Sequence, residues 1–241
     1  MQGTQIPDDY QLTEADVVRF ADERRRGMAS PQDPRLNEAA QTVPLEKIAS
    51  SEIQDLVARM YDIANGQRRK GNEKKKRRTL VGLAAPQIGV PLRIILIDTK
   101  VTADRRKFGK LECFINPVIV WRSRETVEER EGCFSTGPVW GLVRRPVALK
   151  IRGYTSGGVL VDKVLEGFSA RIASHEIDHL DGIRFPERIT SDRKRHWVHT
   201  EELLDYPDQT KRWPRYCTME RWQQFKTSLP EALPESPHPV E

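Results

Sequence analysis

His175 and His179 flank a glutamate in the run His175-Glu176-Ile177-Asp178-His179. The residues before them, Leu165 to Ser174, can form a helix, and on a helix positions i and i+4 lie one above the other on a single face. Two imidazole nitrogens at that spacing can converge on one metal ion at roughly 2 Å each. Glu176 would then sit beside the ion, where its carboxylate can handle the proton of a bound water whose pKa the ion has lowered. The chemistry indicated is hydrolysis. Such a pentapeptide also arises by chance, as two histidines on an ordinary helix. Histidine is scarce here, however: the chain has five in 241 residues, and two of them fall at ligand spacing.

Two histidines do not complete a catalytic metal site, which usually takes three protein ligands and keeps one position open. Downstream, His196, His199, Glu201 and Glu202 are available, but they lie in a basic tail beyond Pro186. Upstream, Glu131-Gly132-Cys133-Phe134-Ser135 offers a better third ligand. A thiolate binds ferrous iron or zinc well, and Gly132 lets the backbone approach closely. A further segment, Gly82-Leu83-Ala84-Ala85-Pro86-Gln87-Ile88-Gly89, is built of small residues that pack closely, and Gln87 gives it an amide donor.

These residues need elements to hold them. Ile48, Ile53, Leu56, Val57, Met60 and Ile63 recur at helical steps, which predicts a helix within residues 45–65, stopped by Gly66. Residues 92–98 and 114–120 are β-branched strand candidates, the second entered around Pro117. Residues 147–154 alternate, and Ser156-Gly157-Gly158 turns them into a returning strand at Val159-Leu160-Val161. The motif helix runs from Phe168 to Leu180, with Gly182 as its stop. A last helix is expected from Thr218 to Leu229, and a short one near Thr13-Glu14. From Pro230 onward the composition is that of a disordered tail.

Net charge is +5, from 40 basic and 35 acidic residues, with 37% hydrophobic and 31% charged content. That balance favours anionic surroundings without fixing a fold. Eight of the eleven residues from Arg68 to Arg78 are basic. Such a block is usually a solvated loop, and it can also neutralise phosphates, as in ribosomal RNA. It carries no aromatic residues for base stacking. Three cysteines, Cys113, Cys133 and Cys217, do not make a disulfide scaffold and fit a reducing cytosol. The first residues lack the pattern of a signal peptide, and no apolar run is long enough to span a bilayer. The expectation is a cytoplasmic protein with no membrane partner.

Taken in order, Gly82-Leu83-Ala84-Ala85-Pro86-Gln87, Glu131-Gly132-Cys133-Phe134-Ser135 and His175-Glu176-Ile177-Asp178-His179-Leu180-Asp181-Gly182 resemble the three signature motifs of the peptide deformylase family. Asp33-Pro34-Arg35-Leu36 is similar to that family's N-terminal segment. The resemblance covers about residues 27–190. It implies an α+β fold, with small antiparallel β-sheets packed around a central H-E-x-x-H helix. It also implies removal of the formyl group from the N-terminal N-formylmethionine of nascent peptides. By motif position, Cys133, His175 and His179 would hold one divalent metal. Fe2+ is the family's usual ion, and Zn2+, Ni2+ or Co2+ also suit this donor set. Glu176 would be the general acid/base, and Gln87 with the backbone N–H of Phe134 would face the oxyanion. The substrate pocket would draw on Val81, Gly82, Glu131, Phe168 and Ile172. Glu131 and Arg145 are expected to form either a buried pair bracing the Cys133 loop or a surface ion pair of little worth, and Asp178 and Asp181 either to orient ligands as acceptors or to cap and solvate the helix end.

The organisation expected is an N-terminal extension (1–26), a deformylase-like catalytic domain (27–190) with a basic loop insertion (68–78), and a charged, partly disordered C-terminal extension (191–241). Leu80, Ser174, the run Phe134-Ser135-Thr136-Gly137-Pro138 and Trp140 depart from the family's usual residues, which bears on specificity. Other readings are a paralogue with altered acyl or peptide preference, an H-E-x-x-H zinc protease with a downstream third ligand, and a weakly catalytic protein bound to ribosomal RNA.

Overall fold

A computed structural model describes residues 27–65, 80–102, 109–199, 202, 206 and 210–228. The short N-terminal helix, the basic segment 68–78 and the tail from Pro230 fall outside these residues.

The described chain contains the helices α1 (Ser51–Asn65), α2 (Gly167–Leu180) and α3 (Met219–Thr227). Its strands are β1 (Gly82–Ala84), β2 (Ile94–Asp98), β3 (Leu111–Arg122), β4 (Thr126–Gly132), β5 (Val139–Pro146), β6 (Ala148–Tyr154), β7 (Leu160–Glu166) and β8 (Arg195–Trp197). They form a five-stranded sheet in the order β1-β2-β3-β6-β7 and a three-stranded sheet in the order β4-β5-β8. Every pairing between these strands is antiparallel. The α+β architecture expected from the sequence is the one present.

Side-chain alternation explains the layers. In β2, Ile95 and Ile97 face α2, while Ile94 and Leu96 face α1 on the other side of the sheet. Helix α2 is itself two-faced. Ala170, Ala173, Ile177 and Leu180 recur at helical spacing and join the apolar core with Phe114, Leu149 and Ile151. Arg171, His175 and Asp178 form a second stripe that meets β4 and β5 through polar contacts. The motif helix is therefore wedged between the two sheets. Its end is set by Gly182 at φ +70°, where the left-handed conformation favours glycine.

Helix α1 is shorter than the 45–65 window, because Leu45–Lys47 form a separate 3-10 turn. Strand β3 is longer than expected and irregular. Pro117 has no N–H to give to the ladder, Asn116 adopts φ +53°, and the register with β6 shifts between Ile115 and Val118. The Asn116 side chain holds the bulge by pairing with both backbone polar groups of Val43, at 2.8 Å each. The region read as a charged C-terminal extension has ordered parts built onto the domain. β8 pairs with β5, and Trp222 and Phe225 of α3 are buried with Val139 and Trp197.

Candidate active site

Three elements deliver the motif side chains to one place. Cys133 follows the last residue of β4 and caps a 3-10 turn, Phe134–Thr136. His175 and His179 project from consecutive turns of α2. The Cys133 Sγ and one ring nitrogen from each histidine lie within 4.8 Å of one another, the one group of this kind among the described residues. Cys133 Sγ is 3.4 Å from His179 Nε2.

This trio suits a metal ion on its own chemistry. One thiol and two imidazoles are the soft and intermediate donors that iron, zinc, nickel and cobalt accept. Burial works against a charged His175, yet hydrogen bonds with Cys133 and Glu131 outweigh it and hold the imidazole well above its usual pKa. His179 behaves oppositely: burial, then the charges of His175 and Arg184, keep its pKa well below the ordinary value. A neutral imidazole is the form that ligates.

Glu176 is buried, and its Oε2 has no hydrogen-bond partner among the described residues. Burial pushes its carboxyl pKa up to about 7. Its other oxygen rests on Gly82. A Cβ at residue 82 would fall 2.3 Å from Glu176 Oε1 and 2.7 Å from Ile172 Cγ2, so a larger residue there would displace the carboxylate.

Gln87 sits in a 3-10 turn after β1. Its Oε1 accepts from the Ala84 N–H at 2.7 Å, which fixes the amide, and its Nε2 donates to Cys133 Sγ at 3.3 Å and Ser135 Oγ at 3.4 Å. Phe134 opens its turn, where the first N–H groups have no acceptor inside the turn. The Phe134 side chain is exposed.

Of the pocket residues, Ile172 of α2 is buried in the core, and Val81 and Phe168 are half-buried against the same cluster. Glu131 has a different setting. Its carboxylate accepts from Arg145 Nε at 2.9 Å and Nη2 at 3.0 Å, from Arg171 Nη1 at 2.7 Å and from His175 Nδ1 at 2.9 Å. Arg145 also donates to Asp178 at 2.5 Å, and Arg188 binds the same carboxylate at 2.6 Å. Burial alone would raise the Glu131 pKa, but the charge of Arg145 and the bond from His175 hold it well below the carboxylate range. Asp181 pairs with Arg93 at 2.8 Å rather than with a histidine. Hydrophobic periodicity could not find Arg171, whose role depends on buried charge.

The departures have plain accommodations. Trp140 pairs with Gly132 across β4 and β5, and its ring lies where a Cβ on Gly132 would be. Ser174 Oγ donates to the Ala170 carbonyl at 2.9 Å, and Leu80 packs on the α1 side of the sheet. His196 is engaged elsewhere, 2.8 Å from the Tyr206 hydroxyl and 2.9 Å from the Arg193 carbonyl. It is not in the metal-type cluster.

The profile of the polypeptide deformylase family matches residues 26–195. This chain belongs to the polypeptide deformylase family. A deformylase of Desulforudis audaxviator is 41% identical over 163 residues, which span 68% of this chain and 92% of that protein. The chloroplastic peptide deformylase 1A of Solanum lycopersicum is 33% identical, over 73% of this chain and 62% of the relative. Among solved structures, the Met-Ala-Ser-bound class I type b peptide deformylase of Acinetobacter baumannii superposes with a TM-score of 0.57 at 30% identity. That match covers 67% of this chain and 96% of the other. Deformylase membership accounts for the order of the three motifs and for the fold around them.

Proposed function

We propose that this protein is a metal-dependent hydrolase that removes the formyl group from the N-terminal N-formylmethionine of newly made proteins, releasing formate. The observation that carries the reading is the convergence of Cys133, His175 and His179 beside a buried carboxylate with one oxygen unpartnered among the described residues. Cys133, His175 and His179 would hold one divalent ion, Fe2+ above Zn2+, Ni2+ or Co2+. Bound there, the ion supplies Lewis-acid activation of water and of the formyl oxygen.

The chain's own residues do the rest. Glu176 takes a proton from the attacking water at its carboxylate and returns it to the leaving amine. Gln87 Nε2 and the Phe134 N–H donate to the oxygen on which charge develops, and fixing Gln87 through Ala84 prepares that donor in advance. Glu131 orients His175 through Nδ1. Val81, Gly82, Phe168 and Ile172 offer the apolar surface that a methionine side chain requires. The test is formate release from formyl-Met-Ala-Ser by anaerobically prepared protein. No release rejects the activity, and equal rates before and after exposure to air reject iron.

Cys133→Ala should leave less than a tenth of the wild-type metal content after dialysis. Full occupancy, measured by atomic absorption, would remove Cys133 from the ligand set.

A cytoplasmic location fits three free cysteines. No helix among the described residues is long and apolar enough to cross a membrane. Cell fractionation tests the location. A deformylase must meet nascent chains, and the eight basic residues of 68–78 suit docking on ribosomal RNA. Replacing all eight by serine should abolish salt-sensitive co-pelleting with ribosomes. Unchanged pelleting would reject the docking role.

A further inference from the structure

The family match ends at residue 195, yet the loop that follows Cys133 meets α3, where Phe225 lies against Gly137. The link is Arg184, which has no exposed surface. Its guanidinium donates to the Pro31 carbonyl at 2.5 Å, the Ser135 carbonyl at 2.9 Å and Asn37 Oδ1 at 2.6 Å. All of these acceptors are neutral. The Trp222 ring of α3 lies 4.7 Å from the guanidinium carbon, as a cation–π partner. A buried guanidinium is costly unless it is fully engaged, so the ring helps to keep this charge inside.

What Arg184 holds is the cysteine loop. The Ser135 backbone N–H donates to Cys133 Sγ at 3.4 Å, its Oγ receives Gln87, and its carbonyl receives Arg184. At the far end of the loop, Gly137 adopts φ +55° with Phe225 of α3 against it. A Cβ at 137 would lie 2.7 Å from the Phe225 ring. Helix α3 therefore bears on the loop at two points.

We propose that α3 is part of the active-site scaffold, with Trp222 acting through Arg184, and Phe225 through Gly137, as positioning residues that set the Cys133 sulfur. The proposal rests on the reading of Cys133 as a ligand, and its test is chosen to separate the two. In metal-free full-length protein, Cys133 is read by its rate of exchange with a soluble aromatic disulfide. Cys113 and Cys217 are buried with thiols pushed up to about 12, so Cys133 supplies the fast phase. In Ni2+-loaded protein, the rate of metal release to a chelator is the second readout.

Trp222→Leu and Arg184→Met should each speed both processes at least fivefold, and the double variant should be no faster than the quicker single one. Trp222→Phe, which keeps a ring over the guanidinium, should stay within twofold of wild type. Val57→Ala, a core change in α1 that lowers stability away from the site, should leave both rates unmoved. The idea is overturned if Trp222→Leu matches Trp222→Phe, if the two single effects multiply in the double variant, or if Val57→Ala speeds the rates equally. A chain that binds no nickel would refute the ligand set, while the disulfide exchange would still decide this inference.

Discussion

Glu176→Gln should cut formate release from a formyl-methionyl peptide by roughly 10²–10⁴-fold, the range for one positioned general acid–base, while bound metal is retained. Glutamine keeps the shape that rests on Gly82 and Ile172, so the packing survives. What disappears is a group able to take and return a proton. The loss should fall on kcat, with KM changed by less than about threefold, because the interaction is made in the transition state. A buried carboxylate oxygen with no partner among the described residues is a cost that folding alone would remove, which points to a use in chemistry. Burial pushes its pKa to about 7, and a cation held beside it pulls that value down again. A variant that keeps more than a tenth of the wild-type kcat with full metal content would take Glu176 out of the proton transfer.

The parts of this site that were legible in the sequence are those carried by residue type and short spacing. His175, Glu176 and His179 lie within five residues on a helix whose apolar stripe and glycine stop are both plain, and α2 spans Gly167–Leu180. The Ser156-Gly157-Gly158 turn after the alternating residues of β6 made the β6–β7 hairpin legible. β4 was not legible. Its Thr-Val-Glu-Glu-Arg-Glu-Gly run has no apolar alternation, because the inward-facing Glu131 is buried on charge pairs. β1 and β8, at three residues each, are too short to show a period. Arg195 lies in the stretch expected to be a charged extension and Arg184 just before Pro186, yet both are fully buried and bonded to backbone carbonyls. Pattern reading assigns arginine to solvent, and only tertiary packing supplies the acceptors that bring it inside.

That buried charge makes the second large prediction one of stability. Glu131→Ala should destabilise the metal-free protein by about 3–5 kcal/mol, the cost of removing one partner from a buried ion pair. For a chain of this length that is a fall in Tm of roughly 6–20 °C. Were the cluster an ordinary surface ion pair, the loss would be about 0–1 kcal/mol and Tm would barely move. Burial decides between these outcomes: the side chains of Glu131, Arg145 and Arg171 are 5%, 5% and 3% exposed. Without Glu131, Arg145 keeps Asp178, and Arg171 keeps Glu129 and the Val127 and Val143 carbonyls, but both lose their shared buried counter-charge. His175 loses the acceptor on Nδ1, so metal affinity should fall as well, by about 10–100-fold. The pH dependence has a fixed sign. A carboxyl held below its unfolded value contributes stability that is complete above about pH 4.3 and lost as the pH drops toward the folded value. The Tm gap between wild type and Glu131→Ala should therefore be widest near neutrality and narrow below about pH 4, as the unfolded carboxyl protonates. A gap that is small at pH 7, or that widens in acid, would show that Glu131 is not the counter-charge on which β4, β5 and the motif helix are joined.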